Sequence, residues 1–511
     1  MNSSKQIKLG ALFSYFAIAF NMLAGLIYTP WMISQIGQSN YGLYTLATSF
    51  ITMFVVDFGM SAAVTRFISN YNAAGERQKV NDFLGVVYKL YLCIDAGIFT
   101  VLVVMYFFID SIYTQLTADE MEVFRVLYVI VGLFSVISFP FTNLNGILNA
   151  NEMFVELKGC DLFHKAFIIV AMVVCLLLGY GVYALVLVNA IAGLLTIAIK
   201  LILIHRRTSV HVNFKYFDKS LLKELFGFSV WTTVGSLAQR LIFNITPSII
   251  AAVSATGSVG VAIFGLASTI EGYVYTFATA INGMFMPRIS RIVHDGKRDE
   301  ELLPLMIRIG RIQCMIIGLL VVGFIAVGRT FIVDIWDKAD FAQSYLCAVL
   351  LIIPSFFYLP MQIANTTLVV ENKVGLQAYV FVIMGVLNVC CSMVLSRFFG
   401  ALGASLSIFI AYMVRTTLMG IIYQRVLKLD MAYFAKRTFG ALSPYLLATL
   451  VIGFLAEYLN PIANRYLRFG VNSMLVVAVF AALMLFFGMN AYEKNLLFGT
   501  GKKVWYRLTR H

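Results

Sequence analysis

Charged residues are scarce in this chain, and nothing in it has the makings of a hydrophilic domain. Asp, Glu, Lys and Arg make up 12% of the 511 residues, against roughly 25% in an ordinary soluble domain. Histidine occurs five times, cysteine seven times and proline nine times. The cysteines (Cys93, Cys160, Cys175, Cys314, Cys347, Cys390 and Cys391) have no metal-site spacing and sit mostly in apolar runs. They read as small core residues, not as a disulfide framework. No Walker loop, HExxH pair or Ser-His-Asp arrangement with a domain to hold it is present, and no cofactor is implied.

What the chain has instead is apolar length. Hydrophobic residues make up 60% and the mean hydropathy is +0.87, which excludes ordinary globular folding. A span needs about 20 apolar residues to cross about 30 Å of hydrocarbon. The runs predict an all-α polytopic membrane protein of about 14 helices. These lie near 9–35, 41–65, 83–109, 123–148, 161–179, 182–204, 225–253, 258–286, 303–327, 343–369, 375–396, 402–424, 438–456 and 467–489. The first run continues past signal-peptide length without a clean small-residue cleavage site, and reads as a retained helix.

The cations test this map. On it, 26 of the 38 Lys and Arg residues fall on one set of alternate loops, six on the other set, and six inside spans. That asymmetry predicts cytoplasmic termini by the positive-inside rule. It also accounts for the net charge of +13 without nucleic acid, since no basic domain exists to bind it. The opposite loops are short, the longest being about fifteen residues near Gly328–Ala342.

An internal repeat is readable. Thr29-Pro30 recurs as Thr246-Pro247, Leu46-Ala47 as Leu266-Ala267, and Arg66 with Gly75 as Arg288 with Gly296. Cys93 and Gly97 match Cys314 and Gly318, Pro140 matches Pro360, and Gly181 matches Gly400. Six helices per copy is an even number, so both copies share an orientation, as in transporters built from parallel repeats. This divides the chain into 1–207 (helices 1–6), 208–428 (helices 7–12), and 429–511, two added helices with a basic tail. The matched pairs Pro30/Pro247 and Pro140/Pro360 are candidate hinges or static kinks.

Charges within the bilayer cost roughly 2.5–3.5 kcal/mol each on insertion scales, so each asks for a reason. Arg240 lies mid-span beside Gln239 and Asn244. It either faces a water-filled cavity or pairs with Glu271 or Asp57. Arg415 is deep and favours a cavity. Arg308 and Arg311 share one helix face and, with Lys89, suit either snorkelling or anion binding. Lys200 is expected to snorkel. Asp57 and Glu271 are candidates for ion coupling or for compensating the arginines, and Asp95 for pairing within the first half. Arg66 and Arg288 are either topological anchors or the rim of a cytoplasmic entrance.

Several motifs carry a resemblance. They are Leu9-Gly-Ala-Leu-Phe-Ser-Tyr15 leading to Thr29-Pro30, Ile36-Gly-Gln-Ser-Asn-Tyr-Gly-Leu-Tyr44, and Asp57-Phe-Gly-Met60 leading to Arg66. Phe226-Gly-Phe-Ser-Val-Trp231 and Val259-Gly-Val-Ala-Ile-Phe-Gly-Leu-Ala267 complete the set. In this order the chain resembles the Wzx-type oligosaccharide flippases. These form the polysaccharide-transport branch of the multidrug/oligosaccharidyl-lipid/polysaccharide exporter superfamily. The resemblance implies two six-helix lobes around a central cavity, in a bacterial inner membrane. It implies flipping of a polyprenyl-diphosphate-linked oligosaccharide for cell-surface polysaccharide assembly, with membrane lipids, a glycan polymerase and glycosyltransferases as partners. Cavity cations would bind the diphosphate, and Arg240 is the best carry-over. Helix 1 offers only Asn21 at the matching depth, where Lys89 can supply the charge instead. The rivals are a multidrug cation extruder, a lipid II flippase and, more distantly, a membrane glycan polymerase or ligase. The polymerase would want a large outer loop. The extruder would want an acidic or aromatic cavity, whereas the spans here hold six basic residues to three acidic ones.

Overall fold

The computed structural model describes residues 22, 24–55, 60–279, 285–336 and 338–496, with the side chains of 224–229, 232 and 287 left aside. Asn21 and Asp57 lie outside the described residues. Every regular element among the described residues is helical. In chain order the helices are α1 (24–36), α2 (Gln38–Phe54), α3 (Met60–Ala73), α4 (Arg77–Ile112), α5 (Ala118–Ser138), α6 (Leu144–Ala150) and α7 (Phe154–Leu177). Next come α8 (Val182–Arg207), α9 (Lys219–Phe243), α10 (Thr246–Val253), α11 (Gly257–Thr279), α12 (Met286–His294) and α13 (Arg298–Thr330). The last are α14 (Ala342–Tyr358), α15 (Gln362–Val370), α16 (Val374–Val426), α17 (Met431–Ala435), α18 (Ala441–Leu459) and α19 (Arg465–Leu483).

Ten of these stretches are long and apolar enough to cross a membrane, or eleven when α9 and α10 count as one bent span. α16 has 53 residues and turns at Gly400, whose φ of 56° interrupts the helix. Its rise of about 80 Å is more than two bilayer crossings need. The predicted spans 375–396 and 402–424 are its two arms.

The repeat is written into the backbone. Left-handed conformations recur at Gly37 and Gly257 (φ 83° and 49°), Gly75 and Gly296 (73° and 70°), and Glu152 and Asn372 (56° and 57°). Glycine adopts such angles at no steric cost, so its placement at two of these pairs was readable. Pro140 and Pro360 also sit alike, each in a 3-10 turn (Phe139–Phe141, Leu359–Met361) joining two helices of one span. The turn absorbs the hydrogen bond that proline cannot make. Pro30 lies within α1, whereas Pro247 opens α10 after a break of 40°.

Contacts divide the chain into two compact units. The first comprises Met1–Leu266 and Val374–Ala411. Its core joins α3, α4 and α6 around Phe67, Phe83, Tyr91, Phe139 and Ile147. Hydroxyls stitch α3 to its neighbour, Thr65 donating to the Gly146 carbonyl at 3.2 Å and Ser61 to the Thr142 carbonyl at 3.3 Å. At α2 the packing is closer still: a Cβ on Gly42 would collide with the Ser258 carbonyl of α11. Small residues of this kind let membrane helices approach backbone to backbone.

The second unit comprises Ala267–Lys373 and Tyr412–His511. α13 is its axis. One face packs on α14 and α11 through Ile317, Val321, Ile352 and Val274. Another packs on α18 and α19 through Cys314, Val322, Leu442, Leu446 and Phe480. The added helices therefore share a core with α13.

Candidate functional site: arginines within the membrane spans

The structure sorts the intramembrane charges by what each one touches. Arg311 is built into the fold. Its Nε donates to Glu493 Oε1 at 2.6 Å, and its Nη2 to Glu493 Oε2 at 3.0 Å and to the Gly488 carbonyl at 2.7 Å. Nη1 donates to the Arg437 carbonyl at 3.0 Å. Bidentate geometry plus two carbonyls uses four of the five N–H donors of the planar fork. Arg308, one turn away and exposed, lies 4.1 Å over the Tyr492 ring, a cation–π contact. Lys89 donates to the Tyr216 carbonyl at 3.0 Å and lies 5.6 Å from the Phe217 ring, so it anchors the loop before α9. Lys200 reaches Asp161 Oδ1 at 3.7 Å. It is buried and donates to Asn145 Oδ1 at 2.9 Å.

Arg240 and Arg415 are placed differently. Arg240 occupies the last turn of α9, just ahead of the break before α10, and is half-buried. Its Nη1 donates to the Thr52 carbonyl. Thr52 belongs to the last turn of α2, where carbonyls lack helical partners and the helix dipole is negative. Asn244, half-buried, caps α9 through its backbone N–H to the Arg240 carbonyl at 3.1 Å, and Gln239 is exposed. The break frees carbonyls that need donors in hydrocarbon. Asn388 of α16 supplies them, its Nδ2 lying 3.2 Å from the Leu241 carbonyl and 3.3 Å from that of Ile242. Nothing in the sequence pattern singles out Asn388, which lies in an apolar run 146 residues from Ile242.

Arg415 lies in the second arm of α16 and is 7% exposed. Its guanidinium stacks 4.5 Å over the Tyr358 ring and 5.8 Å from that of Tyr412. With Gln362, Asn365, Thr416 and Tyr423 it lines a cavity of about 10 Å³, room for about one water. Glu271, in the same unit, is buried and makes no ion pair among the described residues. Asp95 of α4 is buried in the first unit, and its Oδ1 accepts no hydrogen bond among the described residues. Arg66 and Arg288 are both exposed, on α3 and α12, each helix ending ahead of the left-handed glycine of its repeat copy.

One unit thus holds an arginine at a helix break, and the other an aromatic-stacked arginine and a buried acid. A family model described as "Polysaccharide biosynthesis protein" matches residues 8–293. The chain belongs to the polysaccharide biosynthesis protein family. Transporters of known structure share its fold. The lipid II flippase MurJ, in an inward closed conformation, aligns with a TM-score of 0.69 at 15% identity over 93% of this chain and 98% of its own. An inward-facing multidrug resistance MATE family transporter aligns at 0.64 and 17% identity, covering 82% and 99%. A MATE transporter of Vibrio cholerae aligns at 0.56 and 15% identity, covering 83% and 98%. No curated protein matches by sequence. This polysaccharide biosynthesis family member is thus a multi-pass helical membrane protein with the fold of these transporters.

Proposed function

We propose that the chain is a flippase for polyprenyl-diphosphate-linked oligosaccharide repeat units. It would carry them from the cytoplasmic to the outer leaflet of a bacterial inner membrane by alternating access, for O-antigen or capsule assembly. The observation that carries this reading is Arg240, an arginine held at a helix break within a span, in a chain of the polysaccharide biosynthesis family. A diphosphate needs a fork of donors to leave water, and a guanidinium provides one. Arg415 is the second cation of the path. Its cavity holds about one water in this conformation, so cargo reaches it only after the Tyr358 stack opens.

In this reading 1–207 and 208–428 are the two lobes. Pro30, Pro140, Pro247 and Pro360 bend the spans between states, and Arg66 and Arg288 flank the entrance. Glu271, Asp57 and Asp95 compensate charge or carry a coupling ion. An inside-negative potential favours outward movement of an anion by about 2.3 kcal/mol per charge per 100 mV, so coupling is not required. Lipid II is the second cargo to test, on the fold shared with a lipid II flippase.

A deletion strain decides between them. Its polyprenyl-diphosphate lipids are extracted, their sugars identified, and the leaflet that holds them determined. A complete repeat unit trapped on the cytoplasmic side, released by wild type but not by Arg240→Ala, is the expected result. Trapped lipid II moves the proposal to the second cargo, and normal export of every polyprenyl-linked glycan refutes it.

A further inference from the structure

Lys165 lies inside α7, twelve residues before the helix ends at Leu177. No charged residue separates it from that end. The acids nearby are already engaged. Asp161 is shared by Lys158 at 3.2 Å and Lys200 at 3.7 Å, and Glu156 pairs with Arg207 at 2.5 Å. His164 Nδ1 lies 3.1 Å from Thr196 Oγ1. Lys165 is exposed; Asp161, one turn earlier, attracts it, but Lys165 makes no hydrogen bond or ion pair within contact distance among the described residues. Residues 1–23 contain no Asp or Glu.

Four and eight residues on, Ile169 and Val173 share the Lys165 face of α7. These two residues, with Ala24, Ile27, Tyr28 and Trp31 of α1, line an apolar groove of about 300 Å³. Side chains on a helix lean toward its N-terminus. Lys165 does not line the groove and precedes Ile169 by one turn, on the side nearer Phe154. An exposed membrane cation at the mouth of an apolar groove matches an amphiphile with an anionic head and a hydrocarbon tail.

We propose that Lys165 and the α1–α7 groove bind an anionic glycerophospholipid, with its phosphate on Lys165 and part of one acyl chain against Trp31, Ile169 and Val173. One lysine matches the single charge of a phosphodiester. The groove takes a segment of one chain, far short of a polyprenyl tail. The site is separate from Arg240 and Arg415 and does not rest on the transport reading.

The test uses the full-length protein in phosphatidylcholine vesicles doped with brominated phosphatidylglycerol or brominated phosphatidylcholine. Bromine quenches tryptophan on contact, and the Trp31 signal is the difference between wild type and Trp31→Phe. The expected result is about fivefold preference for the anionic lipid at Trp31, the weight of one lysine near a membrane surface. Lys165→Gln abolishes the preference while quenching by brominated phosphatidylcholine continues, which shows an intact groove; Lys165→Arg keeps it. Equal quenching by the two lipids in wild type, no quenching of Trp31 by either, or a preference unchanged in Lys165→Gln each overturns the proposal.

Discussion

Replacing Arg311 with methionine tests whether the sorting of intramembrane arginines is right. Both partners of the Arg311–Glu493 pair are buried, with side-chain exposures of 10% and 2%. Arg311→Met removes four donated hydrogen bonds and leaves Glu493 with the Asn490 N–H at 2.8 Å as its remaining donor. Breaking one side of a buried pair costs about 3–5 kcal/mol, because a charge is left uncompensated. Replacing both partners by neutral residues of like volume costs far less. So Arg311→Met should destabilise the protein by about 3–5 kcal/mol, and Arg311→Met with Glu493→Gln should recover part of that loss. Denaturation in mixed micelles, followed by near-UV dichroism, gives the free energies. Transport per folded molecule should be unchanged in the double variant. A single variant within about 1 kcal/mol of wild type, or a double variant whose losses simply add, would refute the buried-charge reasoning. A folded double variant that fails to transport would return Arg311 to the cargo path.

Three further outcomes follow from the geometry. Asn388→Leu strands the Leu241 carbonyl at the helix break, the Ile242 carbonyl keeping the Thr246 hydroxyl, and should cost about 1–3 kcal/mol, measured by the same denaturation; no loss would mean that another donor serves Leu241. Gly42→Ala should prevent normal folding or expression because its Cβ meets the Ser258 backbone, whereas Gly97→Ala meets nothing within 4 Å and should be neutral or stabilising by up to about 1 kcal/mol. Burial raises the Glu371 carboxyl, but hydrogen bonds from Lys373 and Arg298 outweigh it and hold it below its usual 4.5. A carboxyl lowered in the folded state adds stability above its unfolded pKa and loses it as pH falls through the folded value. Stability should therefore drop below about pH 4.5, and Glu371→Gln should flatten that acid-side slope.

Much of the architecture was legible because membrane spans are read from one variable, apolar length. Glycines at 37, 75, 257 and 296 also mark turns whose backbone demands them. The matching left-handed pair Glu152 and Asn372 was not legible, since neither residue type signals that conformation strongly. Pro140 and Pro360 were visible as a pair, but the 3-10 turns that carry them depend on the helices resuming at once. Sites made by distant partners were hidden. Arg311 and Glu493 are 182 residues apart, so Arg311 looked like a sibling of Arg308 on the same helix face. Lys165 was hidden differently. Its own span was drawn, but the groove above it exists only where α1 lies against α7.

The central claim is that Arg240 holds an anionic cargo during its passage. Purified protein is reconstituted into vesicles with a polyprenyl-diphosphate oligosaccharide in the inner leaflet, and the cargo reaching the outer leaflet is measured with an impermeant glycan-modifying reagent. The account predicts time-dependent exposure with wild type, loss of at least about tenfold with Arg240→Ala, the weight of one charge-assisted hydrogen bond, and partial recovery with Arg240→Lys. Arg240→Ala vesicles that expose cargo at the wild-type rate would contradict it.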